Sequence, residues 1–417
     1  MFKVIYNIFI FVYPKLIAIA AIRNQKAKQW IEGRENVYQL IINKLQNNID
    51  KIIWMHCASL GEFEQGRPVL EELRKVHPDY KILLTFFSPS GYEVRKNYQG
   101  ADIVCYLPMD SSKNAKQFFD IVNPSLVIFV KYEYWYYYLK EAKQRNINTI
   151  IISAIFFPNQ IFFKWYGHFY REMLRCFTFI FVQNQASLKL INELNGINNV
   201  FLSGDTRFDS VITNIYNRLN INDIYYYSKN NKLIVAGSTW TKDDNLLKDL
   251  SKDQKELSFV IAPHDISKAR LQECINTYQH AQFYSEWEIT PLADTRTIII
   301  DNIGMLSSLY YYAYLCYIGG GWDKEGIHNI LEAAVYGKPV IFGPVHHKFI
   351  EAEEMIAAGG AFSVDNLSAL KLLLHKLEND PVFYAKTSES AQKFVLNRSG
   401  ATQIIINKIE TFRNTPK

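Results

Sequence analysis

The chain has 417 residues, with 46 lysines and arginines against 41 acidic residues, so its formal net charge is only +5. That length predicts two or three domains rather than one. A content of 48% hydrophobic and 21% charged residues excludes a disordered chain. The small positive excess gives no reason to expect a nucleic acid partner. Five scattered cysteines without a Cys-x-x-Cys pair argue against a disulfide scaffold and a cysteine-ligated zinc site.

The first element of the chain is an apolar segment, residues 4–22, interrupted only by Asn7, Pro14 and Lys15. A helix of this length is about long enough to cross a bilayer core. The basic residues and tryptophan that follow it favour the anionic cytoplasmic leaflet; they are Arg23, Lys26, Lys28, Trp30 and Arg34. We therefore predict an N-terminal membrane anchor with a basic flank over residues 1–35, which either spans the membrane or is half inserted. A cleaved signal peptide and a core helix are the alternatives.

From Lys51 onward, short apolar runs alternate with longer helical patterns. The runs are continuously apolar, which indicates parallel strands covered on both faces. Repeated strand–helix–strand units predict a doubly wound α/β domain over residues 36–219. The predicted strands of this domain are 51–58, 81–87, 102–107, 125–131, 149–155 and 177–183.

A second series of strands follows a polar stretch, residues 220–231, which is predicted to be a helix-poor linker. The predicted domain covers residues 232–417, and its last helix can pack back on the first domain. The fold class is therefore α/β with two Rossmann-like domains facing a cleft, where ligands bind at the carboxyl ends of strands. The predicted strands of this domain are 232–236, 258–262, 297–300, 315–318, 339–342 and 361–364.

Residues 318–344 are the most informative stretch, because three glycines follow a strand end and a helix is predicted to begin near Asn329. Glycines let a backbone approach a ligand closely, and a helix N-terminus attracts phosphate. Glu332 lies one turn into that helix, where it can accept hydrogen bonds from ribose hydroxyls. The alternative is a tight turn in which Asn329 caps a helix and Glu332 is a surface acid. The whole stretch, closing with residues 337–339 before another strand, favours a nucleotide-sugar site.

Two acidic residues follow strand ends in the first domain. Ser59 and Glu62 have the spacing of a capping box, but Pro68 is typical of a first helical turn and would leave Glu62 in the preceding loop. There, its carboxylate can take the proton from an acceptor hydroxyl that attacks an anomeric carbon. Glu133 is either a second acid of the same cleft or an exposed acid at a helix start.

The remaining polar loops give weaker signals. Residues 237–240 and 263–265 follow the first two strands of the second domain, and each alone is an ordinary turn. His346 and His347 suggest a metal, but adjacent residues are expected to point apart and no third ligand is evident, so no metal site is predicted. The chain has neither a Walker lysine loop nor a zinc helix motif.

At these residues the chain resembles the 3-deoxy-D-manno-octulosonic acid (Kdo) transferases of lipopolysaccharide assembly, over nearly its full length. The resemblance implies the GT-B type of glycosyltransferase fold. It also implies an inverting transfer of Kdo from CMP-Kdo to a tetra-acylated lipid A precursor, lipid IVA, at the cytoplasmic face of the inner membrane. The motifs that carry it are KQWIEGR (28–34), SLGE (59–62), EYW (133–135), SGDTRFD (203–209), AGST (236–239), Pro263-His264 and IHNILEAAVYGKPVIFGP (327–344).

The resemblance implies that Glu62 is the general base, that Glu133 is the second acid, and that the donor CMP-Kdo is used without a cofactor. The residues implied to contact CMP are Pro263, His264, Ile303, Gly304, Met305, Asn329, Ile330, Leu331 and Glu332. Two positions depart from the family pattern. An arginine is often found between the residues that match Pro263 and His264, and a glutamate often takes the place of Met305.

Two rival functions stay open at this point. A two-domain transferase that uses a UDP-sugar would share the glycine-rich stretch and the ribose acid, but not the SLGE and SGDTRFD segments. A nucleotide-sugar-binding membrane protein without activity would not need Glu62.

Overall fold

The computed structural model describes residues 2–413 and divides into two compact units. The first unit contains the residues up to Ser210 together with those from Ser399 onward, and the second contains Val211–Arg398. Each unit is built on one sheet of seven parallel strands. We describe each unit by itself.

The sheet of the first unit has the strand order β3-β2-β1-β4-β5-β6-β7. Its central strands are buried along their whole length, as the continuous apolar runs predict. The strands are β1 (Ile52–Cys57), β2 (Lys81–Phe86), β3 (Ile103–Tyr106), β4 (Leu126–Val130), β5 (Asn148–Ala154), β6 (Phe179–Val182) and β7 (Val200–Leu202).

The sheet of the second unit has the strand order β10-β11-β9-β8-β12-β13-β14. The strands are β8 (Lys232–Thr239), β9 (Leu257–Pro263), β10 (Ala281–Phe283), β11 (Thr297–Ile299), β12 (Leu315–Ile318), β13 (Val340–Phe342) and β14 (Ala361–Ser363). The carboxyl ends of β9, β8 and β12 are neighbours in this order, so the loops that follow them lie side by side.

Helices connect the strands and cover both faces of each sheet. In chain order they are α1 (Phe2–Ala20), α2 (Gln25–Glu32), α3 (Val37–Leu45), α4 (Leu60–Val76), α5 (Pro89–Arg95), α6 (Ser112–Val122), α7 (Tyr136–Gln144), α8 (His168–Leu174), α9 (Gln185–Asn192), α10 (Thr206–Tyr216), α11 (Asn222–Asn230), α12 (Thr241–Asp253), α13 (Lys268–Thr277), α14 (Tyr284–Trp287), α15 (Leu306–Leu309), α16 (Leu331–Ala334), α17 (Ile350–Ala357), α18 (Leu367–Asn379), α19 (Pro381–Leu396) and α20 (Ala401–Arg413). Short 3₁₀ turns lie at Ile161–Phe163 and Tyr310–Tyr312.

Aromatic side chains fill one face of the first sheet. The fully buried Trp54 has Phe118, Phe119 and Tyr138 around it, with ring centroids 4.6 to 5.7 Å apart. The other face is covered by α4 and by α20, whose Ile405 is fully buried there. The last helix of the chain therefore completes the core of the first unit.

All the predicted strands are present, and the predicted α/β fold of two Rossmann-like sheets is confirmed. The prediction missed β7 and β10, which are three-residue strands at sheet edges. Residues 220–231, predicted to be helix-poor, contain α11, which is held to its unit by the fully buried Ile224. The residues after 398, predicted as part of the second domain, belong to the first unit.

The apolar segment at the N-terminus forms α1, which is long and apolar enough to cross a membrane. One side of α1 contacts the first unit: the Tyr6 hydroxyl donates to Asp110, and the Tyr13 ring lies 5.6 Å from that of Trp30. Among the described residues of α1, only Ile10 is buried. The apolar side chains of its other sides are exposed, among them Ile5, Ile8, Phe11, Leu16 and Ile19.

Candidate active site

The first candidate catalytic residue, Glu62, lies in the first turn of α4, directly after β1. The expectation that Pro68 starts the helix and leaves Glu62 in a loop is wrong, because α4 begins at Leu60 and contains Pro68 in its interior. An interior proline costs about 3 kcal/mol. Here the burial of Phe63 and Leu70 on the same helix offsets that cost.

The side chain of Ser59, the residue before α4, donates a hydrogen bond to the carboxylate of Glu62. Ser59 makes no side-chain hydrogen bond to the helix backbone, so the reciprocal capping box does not form. Glu62 is half-buried.

The second candidate, Glu133, is buried rather than exposed, so the alternative of a solvent-exposed helix-start acid is wrong. Nε2 of His56, at the end of β1, lies 3.1 Å from Oε2 of Glu133. The indole N–H of Trp135 donates to the same oxygen at 2.6 Å. Two donors on adjacent elements therefore fix the position of this carboxylate.

His56 lies between Glu133 and Thr85. Nδ1 of His56 is 2.9 Å from the hydroxyl of Thr85 and 3.1 Å from the carbonyl oxygen of the same residue. The Thr85 hydroxyl accepts a hydrogen bond from the indole of Trp54 at 2.8 Å. Polar contacts on both sides of the ring therefore fix the imidazole beside the Glu133 carboxylate.

The charges of Glu62 and Glu133 both affect the pKa of the buried Cys57 thiol. Burial raises the pKa of Cys57, the last residue of β1, and the negative charges of Glu62 and Glu133 raise it further. Both carboxylates therefore lie within electrostatic range of the carboxyl end of β1. Lys131, between β4 and Glu133, has a φ of +65°, a conformation that is costly for a residue with a Cβ and that clusters at functional sites.

The SGDTRFD segment of the first unit holds several elements together. Thr206 donates to the carbonyl of Gln65 on α4 at 2.5 Å and shares a hydrogen bond with Ser153 at the end of β5. The carboxylate of Asp209 accepts from the backbone N–H groups of Gly400 and Thr402, which caps the start of α20. These residues position the elements around the site.

In the second unit, Asp243 fixes the glycine-rich loop that follows β12. Its fully buried carboxylate accepts from the backbone N–H groups of Trp240 and Gly320 and from the hydroxyl of Tyr317, each at 2.9 Å. Burial raises the pKa of Asp243 to about 6, although these donors lower it. Asp243 was not predicted as a site residue. The signal that could have identified it is an acid in the first turn of the helix that follows β8.

Three rings form a stack at the carboxyl ends of β8, β9 and β12. The His264 ring lies 4.3 Å from that of His328, at an interplanar angle of 20°, and 4.8 Å from that of Trp240. Burial, followed by the neighbouring His264, lowers the pKa of His328 to about 4, and burial also lowers the pKa of His264. Both imidazoles are therefore neutral at pH 7 and present flat aromatic surfaces.

Asn329 and Glu332 follow His328, a member of this stack, in the sequence. Asn329 accepts from the backbone of Leu331 at 3.1 Å, and its amide donates to Glu332 at 3.0 Å. A helix does begin near Asn329 as predicted, but α16 starts at Leu331 and has only four residues. The predicted phosphate site at its N-terminus is therefore not supported by a long helix dipole. The side chains of Ile330 and Leu331 are buried, and their carbonyls accept hydrogen bonds from Ala334 and Val335.

The other predicted CMP contacts lie in two loops of the same unit. Pro263 ends β9 and places His264 in the stack. Residues 303–305 follow β11, with an exposed Ile303 side chain and a φ of +101° at Gly304. A Cβ at Gly304 would meet no neighbouring atom within 4 Å, so its backbone conformation, rather than space, favours glycine there.

Comparison with known proteins shows which family part of this chain resembles. Residues 28–210, which include Glu62, Glu133 and the SGDTRFD segment, match the family model of the 3-deoxy-D-manno-octulosonic-acid transferases (kdotransferases). The chain is 28% identical to the 3-deoxy-D-manno-octulosonic acid transferase of Aquifex aeolicus, with 79% of this chain and 87% of that protein covered.

Two further relatives match most of this chain. The Rickettsia felis enzyme of that name is 25% identical, with 87% of this chain and 79% of that protein covered. A bifunctional glycosyltransferase/methyltransferase of Fusobacterium nucleatum is 25% identical over 79% of this chain, and the chain spans about half of it, 53%.

Solved structures share the fold of this chain. The UDP-GlcNAc 2-epimerase of Neisseria meningitidis, bound to UDP-GlcNAc, aligns with a TM-score of 0.61 at 17% identity, covering 87% of this chain and 100% of that one. A second UDP-N-acetylglucosamine 2-epimerase aligns with a TM-score of 0.58 at 14% identity, over 88% of this chain and 99% of that one. At these identities the likeness establishes the GT-B-like fold alone.

Proposed function

We propose that this protein is an inverting glycosyltransferase that moves Kdo from CMP-Kdo to a hydroxyl of the lipid A precursor, lipid IVA. The family match supports the reaction class and the Kdo donor. The observation that carries the mechanism is the half-buried Glu62 carboxylate in the first turn of α4, at the carboxyl edge of the sheet. The lipid acceptor and the role of Glu62 are parts of the proposal.

In the proposed reaction, Glu62 accepts the proton of the acceptor hydroxyl as that oxygen attacks the anomeric carbon of Kdo. The bond from the anomeric carbon to the phosphate oxygen breaks, and CMP leaves with the electron pair. One displacement on the face opposite the leaving group inverts the anomeric configuration. Ser59 donates to Glu62 and orients the carboxylate before the proton is transferred.

The second unit is proposed to bind the donor. The stack of Trp240, His264 and His328 offers flat neutral surfaces of the kind on which a nucleobase packs. Glu332 is proposed to accept hydrogen bonds from the ribose hydroxyls. Asp243 holds Gly320 in place, so the backbone of the glycine-rich loop is ordered before the nucleotide arrives.

The test of the function is mass spectrometry of the lipid that the purified protein makes from lipid IVA and enzymatically generated CMP-Kdo. We expect a product heavier by whole Kdo units, and no product with UDP-N-acetylglucosamine in place of CMP-Kdo. Turnover with the UDP-sugar alone would establish the rival transferase. Binding of CMP without any product from either donor would establish an inactive binding protein.

Glu62→Gln tests the base. Removing a general base costs about 10²–10⁴ in rate, so we expect turnover to fall about a hundredfold or more while calorimetry shows CMP affinity close to that of the unaltered protein. Glu72→Gln is the matched control, because Glu72 is on the same helix and forms an ion pair with the exposed Lys75. Equal turnover in both variants would show that Glu62 has a structural role.

We further propose that α1 lies in the membrane interface on the cytoplasmic side. One side of α1 contacts the first unit through Tyr6, and its other sides expose apolar residues. Trp165, which is 91% exposed, adds a side chain that is favoured at the interface. A helix fixed lengthwise to a folded unit fits interfacial insertion better than a span.

Deleting residues 1–22 tests the anchor. We expect the shortened protein to lose binding to liposomes that contain anionic lipid, but to keep turnover of acceptor dispersed in detergent. High salt should release only part of the full-length protein, since salt screens the basic flank but not apolar insertion. A shortened protein that is soluble but unfolded by circular dichroism would show that α1 is a core helix.

A further inference from the structure

The loop between β13 and α17 brings two adjacent histidines and a glutamate together. Nδ1 of His346 lies 3.0 Å from Oε1 of Glu353, and Nδ1 of His347 lies 2.6 Å from the same oxygen. The expectation that the two side chains point apart is wrong: their ring centroids are 4.4 Å apart. A tight turn, closed by the hydrogen bond from the N–H of Phe349 to the carbonyl of His346 at 2.8 Å, puts both rings on the side of Glu353.

A second observation concerns the buried member of this group. His346 is 6% exposed, and within the described part of the chain its Nδ1 has no hydrogen-bond partner. The carboxylate oxygen at 3.0 Å is close enough for attraction but lacks the alignment of a hydrogen bond. A buried polar atom without a partner costs about 1–3 kcal/mol, so a ligand on this nitrogen would stabilise the loop.

We propose that Nδ1 of His346, Nδ1 of His347 and the carboxylate of Glu353 bind a divalent transition metal ion of the zinc class. Two imidazoles and one carboxylate are a ligand set of known zinc sites, with water in the fourth position. Mg²⁺ and Ca²⁺ prefer oxygen ligands and suit two imidazole nitrogens poorly.

The distances fit such an ion after small movements. At zinc–ligand distances of roughly 2.0–2.2 Å, ligand atoms of a tetrahedral site stand about 3.3–3.5 Å apart. The two nitrogens therefore need to move away from Oε1 of Glu353 by less than about 1 Å. His347 is largely exposed and Glu353 is half-exposed at the start of α17, so both can make this movement while the buried His346 stays in place.

The same loop packs on the glycine-rich loop of the second unit. The N–H of Val345 donates to the carbonyl of Gly321 at 2.8 Å, and the N–H of Ile327 donates to the carbonyl of Val345 at 3.3 Å. The Lys348 ammonium donates to the carbonyl of Lys324 at 2.7 Å. An ion that joins the loop between β13 and α17 to α17 itself would therefore stabilise the backbone beside the proposed donor site. This last consequence, unlike the binding of the ion, rests on the proposed function.

The experiment is a titration of the metal-free full-length protein with Zn²⁺ followed by calorimetry, and with Co²⁺ followed by its visible absorption, both without nucleotide or acceptor. We expect one ion per chain with cobalt bands of a four-coordinate site. His347→Ala and Glu353→Gln should each weaken binding by roughly a hundredfold or more, because even partners outside the ligand shell contribute about 10–100-fold. His375→Ala on α18, an exposed histidine of the same unit, is the matched control and should bind like the unaltered protein.

Unaltered affinity in both His347→Ala and Glu353→Gln, or an equal loss in His375→Ala, would overturn the site. Because no step of the titration uses CMP-Kdo, a protein that binds zinc in this way but fails to transfer Kdo would refute the proposed function and leave the metal site intact. A rise in the melting temperature with Zn²⁺ in the unaltered and His375→Ala proteins, absent in the other two, is the expected second readout.

Discussion

Replacing Asp243 with alanine is expected to loosen the glycine-rich loop of the second unit. Oδ2 of Asp243 accepts hydrogen bonds from the backbone N–H groups of Trp240 and Gly320, and Oδ1 accepts from the Tyr317 hydroxyl. Alanine leaves all three donors without this acceptor. The start of α12 and the loop after β12 then lose the side chain that joins them.

The size of the effect follows from the number of bonds. Each hydrogen bond contributes about 0.5–1.5 kcal/mol net, so three lost bonds cost about 2–4 kcal/mol. For a unit of roughly 150–250 residues this lowers the melting temperature by about 5–15 °C. Asp243→Asn should cost about 1 kcal/mol or less, because its amide oxygen can serve both backbone donors while its N–H₂ group faces the Tyr317 oxygen. The neutral amide also avoids the burial cost that raises the pKa of Asp243 to about 6.

Differential scanning calorimetry of the full chain measures the transition, and isothermal titration calorimetry measures CMP affinity. We expect Asp243→Ala to lower both the melting temperature and the affinity, and Asp243→Asn to remain close to the unaltered protein. Asp249→Ala, on the exposed side of the same helix, is the control. Equal melting temperatures for the alanine and asparagine variants would refute the argument that acceptor geometry holds this loop.

Two further predictions test other parts of the molecule. Glu332→Ala should weaken CMP binding about tenfold to a hundredfold, since a hydrogen bond to a charged acceptor contributes roughly 1.5–3 kcal/mol, with little change in melting temperature; unchanged affinity in calorimetry would move the ribose contact elsewhere. Asp110→Asn tests a pH effect, because burial raises the pKa of Asp110 to about 6 in the folded protein, compared with about 3.9 for a free aspartate. The contribution of Asp110 to stability is then present below pH 4 and lost as the pH rises through 6. The variant should therefore show a flatter decline of melting temperature between about pH 4 and pH 6, and parallel declines would contradict the shift.

The strands could be predicted because parallel strands are buried on both faces and carry unbroken apolar runs. The runs of β1 and β4 are buried at every position. β7 and β10 could not be predicted in the same way, since three residues at a sheet edge carry too little pattern. Their pairing is decided by the neighbouring strands, which the local sequence does not specify.

The helix starts were less predictable, because caps and prolines indicate preferences that packing can override. Pro68 is typical of a first turn, yet α4 continues through it while Phe63 and Leu70 pack on the sheet. Asn329 accepts a hydrogen bond from the N–H of Leu331, but the N-cap position of α16 is Ile330 and the helix ends after four residues. The hydrogen-bond partners of Asp243 include residues distant in sequence, and the contacts of His346 depend on a loop conformation. The spacing of residues in the sequence therefore predicts neither set of contacts.

The environments of Glu62 and Glu133 argue for a division of roles between the two acids of the first unit. Oε2 of Glu133 already lies against the N–H groups of His56 and Trp135, so a proton taken there would have to displace a buried donor. Glu62 is half-buried and has a hydroxyl partner in Ser59, which can rotate and donate elsewhere when the carboxylate becomes protonated. Glu62, whose hydrogen-bond partner can be replaced, is therefore better suited to accept a proton. Glu133, whose donors are fixed, is less suited to take up a proton. Burial and the charges of Glu62 and Glu133 together raise the pKa of the Cys57 thiol at the end of β1.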